Sequence, residues 1–170
     1  LLATAIRDDD PVIFFEHKTL YTISGDVPDD EYVVPFGKAR IVSEGNDCTL
    51  VATGRMVSFC ENAAQALAED GITCDIIDPR TTSPLDEDAI LDSVEKTGRL
   101  VVVDETPPRC SFAADIAALA AGEVFSSLKA PVRQITGPHS PVPFAKELEG
   151  EFVPSPTKIR DAVSEVVNFK

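Results

Sequence analysis

The chain alternates short runs that are apolar at nearly every residue with stretches whose apolar residues recur every three or four positions, and that alternation restricts the fold more than any other feature. Thr49-Leu50-Val51-Ala52-Thr53 is the first such run. Met56, Phe59, Cys60, Ala63, Ala64 and Leu67 then mark one face of a helix that Gly71 ends. Residues 72–78 form the second run. Ser83-Pro84-Leu85-Asp86 reads as a capping box with proline at the first helical position, opening a helix that continues through Ile90 and Val94 to Gly98. Leu100-Val101-Val102-Val103 is the third run, an alanine-rich helix follows over 112–128, and residues 132–136 make a fourth strand. Ser155-Pro156 caps a last helix with Ile159, Ala162, Val163 and Val166 on one face. A strand without a polar face must be covered on both sides, so the expected fold is α/β: a mostly parallel sheet with helices on both faces, joined by right-handed crossovers. Residues 37–41 read as a further edge strand, antiparallel to the rest.

Ahead of this unit, Leu1 to Arg7 reads as the last turns of a helix and Pro11-Val12-Ile13-Phe14-Phe15 as a buried strand. Gly, Asp and Pro crowd the stretch from Ser24 to Pro35 and mark a connection. Residues 1–30 are therefore read as the remnant of one domain plus a linker, and 31–170 as a second domain. The chain opens on Leu-Leu-Ala-Thr, with no initiator Met and no basic-then-apolar leader, and reads as a piece of a longer, soluble, cytoplasmic protein.

Fifteen basic against 29 acidic residues give a formal charge of -14, which repels phosphate backbones and anionic lipid, so neither nucleic acid nor membrane is an expected partner. Cys48, Cys60, Cys74 and Cys110 form no C-x-x-C pair and suggest neither a zinc site nor a redox dithiol. No G-x-G-x-x-G, Walker lysine loop or G-x-S-x-G turn is present.

In an open parallel sheet a ligand crevice lies beyond the carboxyl ends of the strands. Those ends carry Gly54-Arg55, Asp78-Pro79-Arg80, Asp104-Glu105 with Arg109, and Gly137-Pro138-His139. Arg80, Asp104, Glu105, Arg109 and His139 thus form a candidate rim that either orients an anion or a partner's side chains, or simply pairs within itself and satisfies loop backbone. His17, after the first apolar run, reads as a structural contact. His139 is better placed for proton transfer, although it has no evident partner in the sequence.

Taken together, the strings are more specific than any single residue. Ala5-Ile6-Arg7-Asp8 followed by Pro11-Val12-Ile13-Phe14-Phe15-Glu16-His17-Lys18 resembles the end of the pyrimidine-binding domain in β subunits of the thiamine-diphosphate-dependent 2-oxoacid and acetoin dehydrogenases. Pro35-Phe36-Gly37-Lys38-Ala39, Arg80-Thr81-Thr82-Ser83-Pro84-Leu85-Asp86, Thr97-Gly98-Arg99, Asp104-Glu105, Ala130-Pro131-Val132-Arg133 and Pro141-Val142-Pro143-Phe144 resemble the transketolase-like C-terminal domain that follows it, a three-layer sandwich. Ile77-Asp78-Pro79-Arg80 and Pro108-Arg109-Cys110-Ser111 are more similar to the acetoin branch than to the pyruvate or branched-chain branches.

The resemblance implies acetoin cleavage with transfer of the two-carbon unit to lipoamide, thiamine diphosphate and magnesium in the full enzyme, and three partners: an α subunit, a second β subunit and the dihydrolipoamide acyltransferase. It also implies that the catalytic glutamate and the histidine near the substrate lie outside these 170 residues, so no catalytic or cofactor-binding residue is assigned and the isolated chain is expected to be inactive. One site of the family carries over: a potassium loop whose ligands match Ala5, Ile6, Asp8 and Asp10, the last usually Asn. Hard oxygen ligands suit such a cation. Ile159, Phe169 and Lys170, on the last helix and tail, match the region where the acyltransferase is expected to dock. Two other readings stand beside this one: a β subunit of a pyruvate or branched-chain 2-oxoacid dehydrogenase, and a non-enzymatic flavodoxin-like module that binds a small anion at the strand ends.

Overall fold

The computed structural model describes residues 1–170. Helix α1 (Leu2–Arg7) opens the chain, followed by a 3-10 turn (Lys18–Thr22). Then come β1 (Arg40–Ser43), β2 (Cys48–Ala52), α2 (Arg55–Glu69), β3 (Cys74–Asp78), α3 (Glu87–Thr97), β4 (Leu100–Val103), α4 (Phe112–Glu123), β5 (Arg133–Ile135), α5 (Lys146–Phe152) and α6 (Pro156–Val167).

The five strands form one sheet in the order β1-β3-β2-β4-β5. β2 pairs in parallel with β3 and β4, and β4 with β5, while β1 closes the other edge antiparallel to β3. The alternation of side chains along a strand explains the layers. Cys48, Leu50, Ala52, Ile76, Val101 and Val103 face one side and pack with Met56, Cys60, Ala63 and Leu67 of α2 and Ile159, Val163 and Val166 of α6. Val51, Ile77, Leu100 and Val102 face the other side, with Ile90 and Val94 of α3 and Ala113, Ile116 and Ala120 of α4. Each such Leu, Ile or Val contributes roughly 1.5–3 kcal/mol by leaving water. This is the three-layer sandwich expected from the runs without a polar face.

Several local readings change. Residues 11–15 join no sheet, and Ile13 is 81% and Phe15 90% exposed, because an apolar run becomes a strand only beside a partner that supplies its ladder. The capping box is not formed. The Ser83-Pro84 peptide is cis, α3 starts at Glu87 after Asp86, and the Asp86 carboxylate accepts the Ala39 N–H at 2.9 Å instead of capping the helix. The alanine-rich helix stops at Glu123, just after Gly122, and a 3-10 turn, Phe125–Ser127, follows. The last strand is shorter than its apolar run, so Val132 lies just outside it. Helix α5 was not visible as a periodic segment at all. Ser155 does cap α6, its Oγ accepting the Lys158 N–H, with Pro156 in the first turn.

Beneath the amino ends of β2 and β3 lies a buried polar cluster. Thr49 Oγ1 is 2.7 Å from Ser93 Oγ and 2.8 Å from Thr97 Oγ1, Ser93 donates to Asp75 at 2.6 Å, and the Gly45 N–H and Lys96 ammonium complete the Asp75 shell. No buried side-chain polar atom is left without a partner. The cluster is structural: burying these groups is tolerable only because each one is bonded. No helix is long and apolar enough to cross a membrane.

Candidate functional site at the strand carboxyl ends

The chain leaves central strand β2 for β3 on one side and then crosses to β4 on the other. Helices α2 and α4 leave the ends of β2 and β4 on opposite faces, which opens the switch-point crevice where such sheets hold ligands. Gly54, at the end of β2, takes φ 55 and ψ -128, a conformation that side chains disfavour. Glu105 stands after β4.

His17 reaches into this crevice. Its Nε2 lies 2.9 Å from Glu105 Oε2, across 88 residues of sequence, and its Cβ lies 4.0 Å from the position a Cβ on Gly54 would take. The other ring nitrogen fixes the tautomer. Nδ1 accepts the Thr19 backbone N–H at 3.3 Å and faces Thr19 Oγ1 at 2.8 Å, capping the 3-10 turn, so Nε2 carries the proton and donates it to the Glu105 carboxylate. Both members of the His17–Glu105 pair are 29% exposed. Beside them the Tyr21 hydroxyl donates to Glu16 at 2.8 Å, and that bond pushes the phenol above its usual range. Glu105, His17 and Thr19 follow the bonding order of a carboxylate–imidazole–hydroxyl relay, but the capping bond spends the nitrogen that would activate Thr19. The arrangement holds a strap in place.

The remaining rim residues do not converge on one point. Asp104 is buried and ties the β4–α4 loop, accepting the Thr106 N–H and hydroxyl and the Ala113 N–H. Asp78 accepts the Arg80 N–H at 3.1 Å, and burial raises its carboxyl above the ordinary value despite the opposing bond. Arg80, Arg109 and His139 are exposed, Arg80 at φ 62. A small anion at the switch point would meet the Glu105 carboxylate and the imidazole already bonded to it, so the flavodoxin-like reading loses its site. Thr19 is a member of the site not singled out from the sequence, and Gly54 was read there only as a strand-end residue. The His-x-Thr spacing before the 3-10 turn was the available signal for Thr19.

At the start of the chain, α1 ends at Arg7, so the carbonyls of its last turn have no helical N–H donor ahead of them. Asp8 Oδ1 accepts the Asp10 N–H at 3.0 Å, folding the next residues back toward that end. Ala5, Ile6, Asp8 and Asp10 thus offer carbonyl and carboxylate oxygens, donors of the kind a hard monovalent cation takes. The partner-binding set changes: Ile159 is fully buried between α6 and the sheet, because the inward face of α6 fills the core, and its side chain cannot touch a partner. Phe169 is 51% exposed and Lys170 is exposed. An open cleft of about 690 Å³ lies at the β5 edge, between Gln134, Gly137 and Phe152 on one side and Lys158, Asp161 and Glu165 of α6 on the other. It lines up none of the rim residues.

The transketolase, C-terminal domain family matches residues 37–159. The β subunit of acetoin:2,6-dichlorophenolindophenol oxidoreductase from Bacillus subtilis (strain 168) is 53% identical over 98% of this chain and 49% of its own length. The protein of the same name from Cupriavidus necator is 52% identical over 95% of the chain and 48% of its own length. The pyruvate dehydrogenase E1 component β subunit of Rickettsia bellii is 43% identical, covering all of this chain and 52% of its own length. The chain spans about half the length of the curated relatives it matches. Among solved structures, a split-gene transketolase described as an inactive β4 tetramer superposes with a TM-score of 0.71 at 23% identity, over 85% of this chain and 45% of that one, which speaks for the fold. By the span of that match and the sheet it folds into, the chain belongs to the transketolase C-terminal domain family.

Proposed function

We propose that this chain is the C-terminal part of the β subunit of a thiamine-diphosphate-dependent acetoin dehydrogenase that works in the cytoplasm, where its four cysteines stay free. One observation carries the reading: the two acetoin oxidoreductase β subunits are 52–53% identical to nearly the whole chain, whereas β subunits named for pyruvate or 2-oxoisovalerate stand at 39–43%. In this reading residues 1–30 close the pyrimidine-binding domain and 31–170 form the transketolase-like domain, which serves assembly with an α subunit and a second β subunit and docking of the acyltransferase through Phe169 and Lys170.

When bound, thiamine diphosphate with magnesium supplies the carbanion chemistry that cleaves the substrate's carbon–carbon bond. The residues of this chain act around that chemistry. His17 and Glu105 hold residues 16–22 against the sheet, and the carbonyls of Ala5, Ile6 and Asp8 with the Asp10 carboxylate would hold potassium. Arg80 and Arg109 stand exposed for a partner's acidic groups.

The test is dye reduction by the full-length β subunit assembled with its α subunit. Acetoin-dependent turnover well above that with pyruvate or 2-oxoisovalerate supports the reading. Preference for either 2-oxoacid assigns the chain to that branch instead.

A further inference from the structure

The two edges of the sheet are finished differently. At β1 the register slips between Ile41 and Ser43, an irregularity that turns an edge away from further pairing. At β5 the register against β4 runs unbroken from Arg133 to Ile135. The Ile135 carbonyl accepts the Asp104 N–H at 3.0 Å, so by the alternation of a strand the N–H and C=O of Gln134 face away from β4. Gln134 is exposed, and Thr136, two residues on, makes no backbone hydrogen bond within the chain. Gly137 donates to the Thr106 carbonyl at 3.1 Å, back toward the β4 side, which keeps Thr136 in phase with Gln134. Pro138 then ends the edge, having no N–H to give. The free edge is short and defined: two residues whose main-chain donors and acceptors point outward.

Beside that edge lies the cleft of about 690 Å³, with Gln134 and Thr136 on one side and α6 on the other. Lys158, Asp161, Ala162 and Glu165 line it at helical spacing, so one face of α6 forms the wall. An edge strand beside a helix wall is a groove that takes an extended peptide as an added strand, main-chain bonds holding it and alternate side chains meeting the wall. The charges select the occupant. Glu151, Asp161 and Glu165 bring three carboxylates to the lining against the one ammonium of Lys158, which already donates to the Glu151 carbonyl at 3.0 Å. Glu165 meets Arg133 and Asp161 meets Arg160 only at exposed positions, where such pairs are weak and exchangeable, and the Glu151 carboxylate joins no ion pair. A second copy at net charge -14 would oppose like charge to like. The rest of a longer chain has a different surface to bury, the bare apolar side chains of Ile13, Phe15 and Tyr21, whereas this lining is mostly polar, as reversible interfaces are.

We propose that the groove between β5 and α6 binds an extended segment of a separate polypeptide, bearing lysine or arginine at alternate positions, as a sixth strand. Its main chain bonds Gln134 and Thr136, and its cations meet Glu151, Asp161 and Glu165. Such capture does not depend on which substrate the enzyme cleaves.

The experiment adds a fluorescent peptide of alternating lysine and valine to full-length β subunit assembled with its α subunit, and reads anisotropy and amide exchange. Binding should saturate, slow exchange at Gln134 and Thr136, and be lost when glutamate replaces lysine or when alternate peptide nitrogens facing the edge are methylated. Gln134→Pro, which an edge strand tolerates and which removes the outward N–H, should weaken binding by about tenfold with the fold intact by circular dichroism. Asp161→Lys with Glu165→Lys should transfer the preference to the glutamate peptide. Glu69→Lys with Asp70→Lys, the same charge change at the exposed end of α2, should not. No saturable binding, or binding indifferent to Gln134→Pro and to methylation, overturns the groove. So does a Gln134 amide already protected in the assembled enzyme, which assigns the edge to the rest of the chain or to the α subunit, and so does a loss of β–β association in Gln134→Pro. Dye reduction by the Gln134→Pro enzyme should match the parent, and a preference for a 2-oxoacid would refute the acetoin assignment while leaving the groove standing.

Discussion

Four cysteines of one chain meet different solvents, and their chemistry divides accordingly. Cys48, Cys60 and Cys74 are buried between the sheet and α2, and burial is the first cause raising each thiol, Cys74 up to about 12. The thiolate is the nucleophile, so these three should be inert in the native protein. Cys110, exposed before α4, is the only accessible one. Iodoacetamide should add one carbamidomethyl group to the native chain and four after denaturation, read by intact mass; two or more on the native chain would show that the α2 face opens. Asp78 supplies the pH prediction. Burial raises its folded-state carboxyl above the unfolded value of 3.8, so the native state binds a proton more tightly than the unfolded state does. Stability therefore falls as pH rises from that value through the folded one, and Asp78 remains a cost above that window. Asp78→Asn keeps an oxygen to accept the Arg80 N–H and removes the charge. Urea unfolding should show the variant more stable than the parent at about pH 7, the difference vanishing below about pH 4.

At the scale of elements, the strap formed by residues 16–22 is the least self-sufficient part of the molecule. It contains one 3-10 turn and no fully buried side chain, so its position rests on the bond between His17 and Glu105 and the cap on Thr19. Such segments open at low free energy. His17→Ala should speed amide exchange across residues 16–23 while leaving exchange in β2, β3 and β4 unchanged. Glu105→Gln, which still accepts the Nε2–H, should sit closer to the parent. Equal exchange in all three proteins would mean that other contacts hold the strap. The elements of the sheet were legible because each needs only its own residues to declare itself: Leu50, Ile76 and Val102 lie in consecutive parallel strands as their runs require. The capping box failed for a related reason. Asp86 had a better partner in the Ala39 N–H, 47 residues away, than in its own helix.

Taken as a whole molecule, the chain is a sandwich whose strap and whose α5 root meet at the same, carboxyl end of the sheet: His17 bonds Glu105, and Phe152 lies against Gly137 beside the Glu105 backbone carbonyl. Catalysis with thiamine diphosphate needs a carboxylate on the cofactor's ring, a magnesium site and a cleft closed to water. The switch-point crevice, where such a sheet would offer a ligand site, is instead filled by His17. Titration calorimetry of the 170-residue chain with thiamine diphosphate and magnesium should therefore show no binding at ligand concentrations up to about 1 mM. Saturation in the micromolar range would put the cofactor site inside these residues, with His139 as the first to substitute.

The sequence by itself determined the layers, the parallel sheet, the antiparallel edge and the resemblance to one family, because hydrophobic periodicity and strand-end strings are written locally. Only the tertiary structure decided that Ile159 is core and not interface, that residues 11–15 lack a ladder, that Glu105 faces His17, and that Phe144 stands bare. Each of these depends on which surface another part of the chain happens to cover. Burial and hydrogen-bond partnership at long separation are properties of the packed whole, set by competition among many partners, and no window of neighbouring residues contains that competition.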